Sequence, residues 1–275
     1  MNPLKTSPGK NLSRWITKAA KWLLPVVLLP GCSADQDGRQ WQLPPQISEI
    51  SGLANGPDDS VYLHDDEIAV VYQLQLETGA VSTVFQIEQP VIRGDFEGIV
   101  STAQYFFLVT SEGVLYRVER TGDMLDAIVS ATVIDPGISD FCEVEGLHER
   151  NNFLYIACKT PYLKADKKNI VLLEYNLETN VVTNEIRFDF ASLSLKKFNP
   201  SAIWLDEQSI ILLSAKQHKV IQLNWSGDKL LEFKLDKGKH PQPEGLTIMN
   251  DRLVIADEGK GSGGIVTIYA ELPAN

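Results

Sequence analysis

The chain has 275 residues, of which 44% are hydrophobic and 22% charged, and its formal net charge is −11. This composition suits a folded globular protein, and the excess of acids argues against a nucleic-acid backbone as partner, because phosphates would repel it. The three cysteines and four histidines share no spacing typical of zinc ligands, which excludes a zinc site.

Residues 1–31 are typical of a bacterial lipoprotein signal peptide. They contain five Lys and Arg and no acid, and an apolar run covers residues 22–29. That run is too short for a membrane-spanning helix, which needs roughly 20 apolar residues. The segment Leu-Pro-Gly-Cys at 29–32 resembles a lipobox, in which the cysteine is lipidated and becomes the first mature residue. We therefore expect a lipid on Cys32. The alternative is an uncleaved membrane-proximal anchor, and both interpretations place the folded part in the cell envelope.

Residues 32–40 are predicted to be a short polar tether, and residues 41–275 the folded domain. Ser33, not aspartate, follows Cys32, and by resemblance to enterobacterial sorting this favours the outer membrane, facing the periplasm, over the inner membrane. Without residues 1–31 the chain keeps 20 basic and 36 acidic residues, a net charge of −16. We expect the domain to reach the membrane through its lipid and to be a monomer.

The folded domain repeats one unit five times. Each unit opens with an acid or serine, then a small residue and an apolar one, at Ser51-Gly52-Leu53, Glu97-Gly98-Ile99, Glu145-Gly146-Leu147, Ser201-Ala202-Ile203 and Glu244-Gly245-Leu246. The small residues follow one another at steps of 46, 48, 56 and 43 residues. Each opening leads to further short apolar runs separated by turns such as Thr78-Gly79, Thr121-Gly122 and Ser226-Gly227, which is typical of hairpins. The pattern predicts an all-β protein, a β-propeller with four strands in each blade.

The ring is predicted to close through the N-terminal end of the domain. The fifth unit runs out after residues 265–269, one strand short, while Gln40-Trp41-Gln42-Leu43 precedes the first unit and is free to pair there. Adding this segment as the outer strand of the last blade hides two sheet edges, and Pro44-Pro45 stands where the strand would end. We predict five blades, because a sixth would need a unit that the sequence does not mark.

The first residues of the inner strands predict a candidate metal site. In a propeller these residues ring one mouth of the central channel, so Glu97, Glu145 and Glu244 should converge there. Asp66, Asp257 and Glu258 end second strands and should lie beside them. Converging carboxylates repel one another unless a cation neutralises them, and oxygen ligands of variable geometry favour Ca²⁺ over Mg²⁺. The alternative is that the glutamates accept backbone hydrogen bonds and only fix blade against blade.

Two cysteines remain in the folded domain. If the first two strands of the third unit pair around the turn at 150–152, Cys142 lies opposite residues 159–161, within one to three positions of Cys158. A disulfide between Cys142 and Cys158 is compatible with the distance limits on such a bond. Two separate buried thiols are the alternative.

Several of these motifs together resemble one known family. Ile-Ser-Gly-Leu-Ala at 50–54, Asp-Phe-Glu-Gly-Ile at 95–99, Val-Glu-Gly-Leu at 144–147, Pro-Glu-Gly-Leu at 243–246 and Ile-Ala-Asp-Glu at 255–258 resemble the SdiA-regulated (YjiK-like) proteins. The resemblance covers about residues 41–270. It implies a five-bladed β-propeller, distantly similar to NHL repeats, with a calcium site and no assigned enzyme activity. The family carries acids in more blades, and Ser51 and Ser201 stand here where an acid could stand.

Two functions of different classes follow from these expectations. The first is a calcium-binding module of the cell envelope that binds a protein or small-molecule ligand on its loop-rich face. The second is a calcium-dependent hydrolase, of the lactonase, esterase or phytase-like phosphoesterase type, in which the metal polarises the substrate or activates water. Motifs for a serine hydrolase, a phosphate-binding loop or a zinc protease are absent from the sequence. The fold alone does not decide between a module and an enzyme.

Overall fold

The computed structural model describes residues 38–122 and 124–272. The predicted signal peptide, Cys32 and the tether up to residue 37 lie outside the described residues. Within them, the structure contains no helix with the length and apolar character needed to cross a membrane.

The chain enters the ring at β1 (Arg39–Gln42), which forms the outer edge of the last blade. It pairs antiparallel with the strand over residues 265–269, and Trp41 reaches the first blade, where its Nε1 donates to Leu76 O at 3.0 Å. Arg39 donates to Glu77 O at 2.7 Å in the same turn. The N-terminal strand therefore completes the fifth blade and fastens it to the first. The predicted closure is confirmed, although the strand begins two residues before the predicted domain boundary.

The chain leaves blade 2 for one strand, which is added to the edge of blade 1. Blade 1 contains β2 (Ile50–Asn55), β3 (Ser60–Asp65), β4 (Val70–Gln75) and β5 (Val81–Ile87). Blade 2 contains β6 (Phe96–Ser101), β7 (Tyr105–Thr110), β8 (Leu115–Glu119) and, after β9 (Ala127–Val129), β10 (Thr132–Ile134). The turn at Thr121-Gly122 does not close a hairpin as predicted. The chain crosses instead to blade 1, where β9 pairs parallel with β5, and then returns as β10. Buried Met124 accounts for the detour, because it packs in the apolar cluster between these two blades.

The remaining blades are regular four-stranded sheets. Blade 3 contains β11 (Cys142–Arg150), β12 (Phe153–Pro161), β13 (Asn169–Asn176) and β14 (Val181–Asp189), with a 3₁₀ turn at Lys164–Lys168. Blade 4 contains β15 (Ala202–Leu205), β16 (Ser209–Ser214), β17 (Lys219–Asn224) and β18 (Lys229–Lys234). Blade 5 contains β19 (Pro243–Met249), β20 (Arg252–Asp257) and β21 (Ile265–Tyr269), completed by β1. The prediction of an all-β, five-bladed propeller is confirmed.

The apolar core is divided among the blade interfaces. Five clusters of buried side chains lie between successive blades, for example Leu172 of blade 3 with Leu212 of blade 4. Each blade buries one face of its sheet in each of two clusters, which is why its strands carry apolar residues on both faces. The ring is stable only as a whole, because a single blade leaves both faces exposed.

The small residue of each unit allows the inner strands to pack around the axis. A Cβ atom at Gly98 would stand 2.8 Å from Leu147 Cβ and 3.0 Å from Leu147 N in the next blade. One at Gly146 would stand 3.1 Å from Ile203 Cγ2. The repeated glycine is therefore explained by close approach between neighbouring inner strands, and it marks where the channel is narrowest.

Candidate functional site

A β-bulge opens the inner strand of four blades. In blade 2, Phe96 pairs with Thr110 and Gly98 with Val109, so Glu97 is an extra residue without a partner in the ladder. The same shift leaves Ser51, Glu145 and Glu244 as the extra residues of their blades. Bulges redirect side chains out of the alternation of a strand. They explain how three glutamates point to the end of the channel where the inner strands begin, which we call the mouth.

Blade 4 reaches the same arrangement with a shorter inner strand. Ser201 stands just before β15, and Ser201 N donates to Leu213 O at 2.8 Å. A narrow space of about 10 Å³ on the axis is lined by Ser51, Glu97, Glu145 and Ser201, together with the small residues that follow them. The structure thus brings the predicted glutamates of blades 2 and 3 to one mouth, and Glu244 occupies the equivalent position in blade 5.

A second ring of polar residues surrounds the first. It consists of the residues two positions before each bulge or its equivalent, which are Glu49, Asp95, Glu143, Asn199 and Gln242. Between the two rings stand apolar side chains that are buried in every blade, Ile50, Phe96, Val144, Pro200 and Pro243. Each unit therefore opens with four successive residues of fixed character, which are a polar residue, a buried apolar one, a second polar one and a small one. This alternation was visible in the sequence, but the prediction began each unit at the inner ring and missed the outer one.

Lys159 supplies one positive charge to the blade 3 side of the mouth. Its ammonium forms a salt bridge with Glu145, whose side chain is 3% exposed, and a second one with Glu143 at 3.3 Å. Cys142 and Cys158, the residues next to Glu143 and Lys159, are joined by a disulfide with a Cα–Cα distance of 5.6 Å. Cys142 pairs in register with Pro161, inside the predicted range. The covalent bond thus holds together the two strands that carry this ion pair.

The opposite side of the mouth has carboxylates without such a cation. Oxygen atoms of Glu49, Asp66 and Glu258 lie within 4.8 Å of one another. Among the described residues, none of these three takes part in a salt bridge, and Asp66 Oδ1 is buried without a hydrogen-bond partner. Gln242 Nε2 donates to Glu258. Glu49 is a residue of the outer ring and was not predicted.

The pKa values of the carboxyl groups at the mouth reflect the shortage of positive charge there. Burial, reinforced by the neighbouring carboxylates, raises the pKa of Glu97 and of Glu258 to about 8. Burial raises the pKa of Asp66 and of Glu244 to about 7, and Lys159 opposes the shifts at Glu97 and Glu244. A carboxylate whose pKa is raised by burial and like charges is stabilised when a cation approaches it.

Asp257 lies near Glu244 but has internal partners of its own. Its carboxylate accepts from Gln242 N at 3.2 Å, and its Oδ2 is 2.7 Å from His240 Nδ1. His240 Nε2 is 2.6 Å from the hydroxyl of Tyr269, and both His240 and Asp257 are fully buried. This chain of contacts ties the segment before β19 to blade 5. The contacts of Asp257 therefore brace this segment.

The donor set fits a hard divalent cation. All of the candidate ligand atoms are carboxylate oxygens, and Ca²⁺ takes six to eight oxygen ligands in flexible geometry. The unpartnered buried Asp66 Oδ1 is the type of atom that a cation would satisfy. Glu49, Asp66 and Glu258 are the residues that could hold the ion, with Glu97 and Glu244 within electrostatic reach of Glu258.

No protein-family model matches the chain, and no curated protein matches it. Solved structures do share its fold. Glutaminyl cyclase from Myxococcus xanthus aligns at 14% identity over 84% of this chain and 94% of that one, with a TM-score of 0.57. A luciferin-regenerating enzyme aligns at 10% identity over 85% and 95%, with a TM-score of 0.56. The PQQ-bound aldose sugar dehydrogenase of Streptomyces coelicolor aligns at 11% identity over 86% and 99%, with a TM-score of 0.51. At these identities the likeness shows the β-propeller fold alone.

Proposed function

We propose that this chain is a lipid-anchored envelope protein of the SdiA-regulated (YjiK-like) type, a propeller that binds Ca²⁺ at its acidic mouth and serves as a ligand- or partner-binding module. The observation that carries the proposal is the mouth itself. Bulges direct Glu97, Glu145 and Glu244 to one end of the channel, where Asp66 and Glu258 also converge.

We propose a position for the cation that differs from the axial one that the sequence suggests. Lys159 already supplies a positive charge to Glu143 and Glu145. The remaining carboxylates, on blades 1, 2 and 5, form no salt bridge with it among the described residues, although its charge also acts on Glu97 and Glu244. We therefore place the ion off the axis, at Glu49, Asp66 and Glu258, with Glu97 and Glu244 adding negative charge nearby.

The course of β1 supports an open mouth. Gln42 pairs with Ile265, which pairs with Asp257 at the mouth end of blade 5, so β1 runs toward the mouth. Arg39, at the start of β1, lies at the opposite face. The chain therefore enters the described domain at the face opposite the mouth. Replacing Cys32 by alanine should then abolish labelling with palmitate, and unchanged labelling would contradict the lipid anchor.

Calcium binding is tested by calorimetric titration of the full-length protein in detergent after treatment with chelator. We expect saturable binding at or below millimolar Ca²⁺. Binding to the folded state alone adds about 2.7 kcal/mol at a hundredfold excess over Kd, so the melting temperature should rise and chelator should reverse the rise. Absence of binding at millimolar Ca²⁺ would contradict the proposal.

A matched pair of variants locates the ion. Asp66→Asn should remove most of the calcium-induced shift in melting temperature, because it removes a buried ligand oxygen without changing side-chain size. Glu112→Gln changes an exposed carboxylate just after β7 in blade 2 and should leave the shift intact. Equal loss in both variants would indicate a diffuse effect of charge and not a site.

The hydrolase alternative needs the same ion and, in addition, a group that moves a proton. Solved propellers of similar fold include enzymes, but at 10–14% identity they bear on the fold and not on the chemistry. No contact among the described residues favours catalysis over binding. The module is therefore the function that we propose.

A further inference from the structure

A cavity of about 270 Å³ lies beside the mouth and is lined by residues of blades 3, 4 and 5. It is lined by side chains of opposite charge and by amides, including Lys159, Lys216, Glu244, Asn199, Gln242 and His218. Ligand pockets for drug-sized molecules measure roughly 300–1,000 Å³, so this cavity suits a smaller ligand. It is distinct from the carboxylate group of Glu49, Asp66 and Glu258, none of which lines it.

The floor of the cavity is braced by side-chain hydrogen bonds. Asn199 Nδ2 donates to Lys159 O at 2.8 Å, and Asn199 N donates to Gln217 Oε1 at 2.8 Å. Ser214 Oγ donates to the same Gln217 oxygen at 2.6 Å. Ser201 Oγ accepts from Ala215 N and donates to Pro243 O, both at 3.1 Å. The cavity is thus a shaped space with fixed walls, which is what a preformed binding site requires.

Three charged or polar groups on its walls are not paired in a salt bridge among the described residues. The Lys216 side chain is exposed and makes no salt bridge or hydrogen bond in the described part of the chain. Glu244 is directed to the mouth by its bulge. It bonds the Gln242 amide and is within reach of the charge of Lys159, but it forms no salt bridge among the described residues. Both ring nitrogens of His218 are buried without hydrogen-bond partners. A ligand that carries one positive and one negative group would pair with the first two.

We propose that this cavity binds a small zwitterion, an α-amino acid or a short peptide with free termini, whose carboxylate pairs with Lys216 and whose ammonium pairs with Glu244. The Asn199 side chain, held by its bond to Lys159 O, lines the wall between the two charged groups. The inference deepens the proposed binding module by naming its ligand class, and it does not require the metal.

The test uses three probes of nearly equal size. They are L-alanyl-L-alanine, its N-acetyl derivative, which lacks the ammonium, and its C-terminal amide, which lacks the carboxylate. Each is titrated calorimetrically into the full-length protein, with chelator and with Ca²⁺. We expect the free dipeptide to bind about tenfold more tightly than either blocked form, since each blocked form leaves one charge without a partner.

Variants assign the two ends of the ligand. Lys216→Ala should weaken the free dipeptide about fivefold, the size of a partly exposed ion pair, and leave the amide unaffected. Glu244→Gln should weaken the free dipeptide and leave the N-acetyl form unaffected. Lys197→Ala, at an exposed lysine outside the cavity, serves as the control and should change nothing.

Equal binding of the three probes, or no binding at millimolar concentration, would overturn the inference. So would selectivity that survives Lys216→Ala, because the dipeptide would then bind elsewhere. Because Lys216 is exposed, its variant remains informative even if Glu244→Gln fails to fold. Failure of dipeptide binding with intact calcium binding would remove this ligand assignment alone, whereas loss of calcium binding would remove the metal site.

Discussion

The two sides of the mouth are built from the same repeat but are neutralised in different ways. On the blade 3 side, Glu143 and Glu145 share the ammonium of Lys159. On the side of blades 5 and 1, Glu49, Asp66 and Glu258 approach one another without a salt bridge in the described part of the chain. One side is satisfied internally, and the other is suited to an external cation.

One register position accounts for this difference. Asp66 N donates to Glu49 O, and Glu258 N donates to Gln242 O, so Asp66 and Glu258 hold the same place in their blades. Lys159 holds that place in blade 3, directly after Cys158, which pairs with Val144. A single charge reversal at this register position therefore converts an open carboxylate group into an ion pair. The repeat determines where polar groups converge, and individual residues determine what they bind.

The largest expected effect concerns the disulfide that frames the satisfied side. Replacing Cys142 and Cys158 together by serine should lower the free energy of unfolding by about 3 kcal/mol, because the bond closes a loop with a sequence separation of 16. Denaturant unfolding of the two proteins measures the difference. Reduction of the wild-type protein should reproduce it, and a stability unaffected by reductant would contradict a structural role for the bond.

The ion pair itself can be broken by Lys159→Met. The change leaves Glu145 buried without its cation, and breaking a fully buried pair costs about 3–5 kcal/mol. Because the Lys159 side chain is 39% exposed, we expect about 2 kcal/mol in chelator. Added Ca²⁺ should recover part of this loss, since in the variant both sides of the mouth carry carboxylates without a cationic partner. A control at Lys216→Met, which breaks no ion pair, should cost little, and equal losses would remove the distinction between the two sides.

The sequence predicted the fold well because the repeat is dictated by close packing. Glycine at the axis, apolar alternation and hairpin turns recur in register, and the spare segment around Trp41 matched the missing strand. The detour through β9 could not be predicted, because its pairing with β5 depends on tertiary contacts of Met124 and not on a local turn signal.

The candidate site was predicted in part. The acids at the bulges were found from their register, but the bulges themselves were not, since one extra residue in a strand leaves no clear sequence signal. The roles of Glu49 and of the Lys159 ion pair were not predicted, because they depend on whether each acidic side chain lies in the inner or the outer ring of the mouth. Asp257 was expected with the metal ligands, and the buried histidine that holds it lies 17 residues before it in the chain. Such long-range partners are invisible to spacing arguments.

The open side of the mouth predicts a pH dependence of stability. The folded-state pKa values of Glu97 and Glu258 are raised to about 8, and those of Asp66 and Glu244 to about 7. At pH values between the ordinary pKa of these carboxyl groups and the raised one, the folded state holds protons that the unfolded state has released. The free energy of unfolding therefore falls as pH rises. Because these groups are partly exposed, we expect a loss of about 1 kcal/mol between pH 5 and pH 8 in chelator.

Two comparisons check the origin of that slope. Ca²⁺ should reduce the loss, because the ion favours the ionised carboxylates that high pH produces. Glu258→Gln removes one of the raised groups and should flatten the profile of melting temperature against pH. A melting temperature that rises between pH 5 and pH 8 in chelator would contradict the raised pKa values of these four carboxylates.

The smallest expected effect separates the open side from the surface around it. Glu67 follows Asp66 directly, but its carboxylate pairs with Arg93 at 2.8 Å, and the two side chains are 64% and 69% exposed. Exposed pairs of this kind contribute about 0–1 kcal/mol, so Glu67→Gln should change the free energy of unfolding by less than about 0.5 kcal/mol. It should also leave the calcium-induced shift in melting temperature unchanged, whereas Asp66→Asn removes most of it. Both measurements use thermal unfolding of the same preparations with chelator and with millimolar Ca²⁺. If Glu67→Gln reduced the calcium response as strongly as Asp66→Asn, the ion would be held by the general negative charge of this face. The two sides of the mouth would then not differ in how they bind a cation.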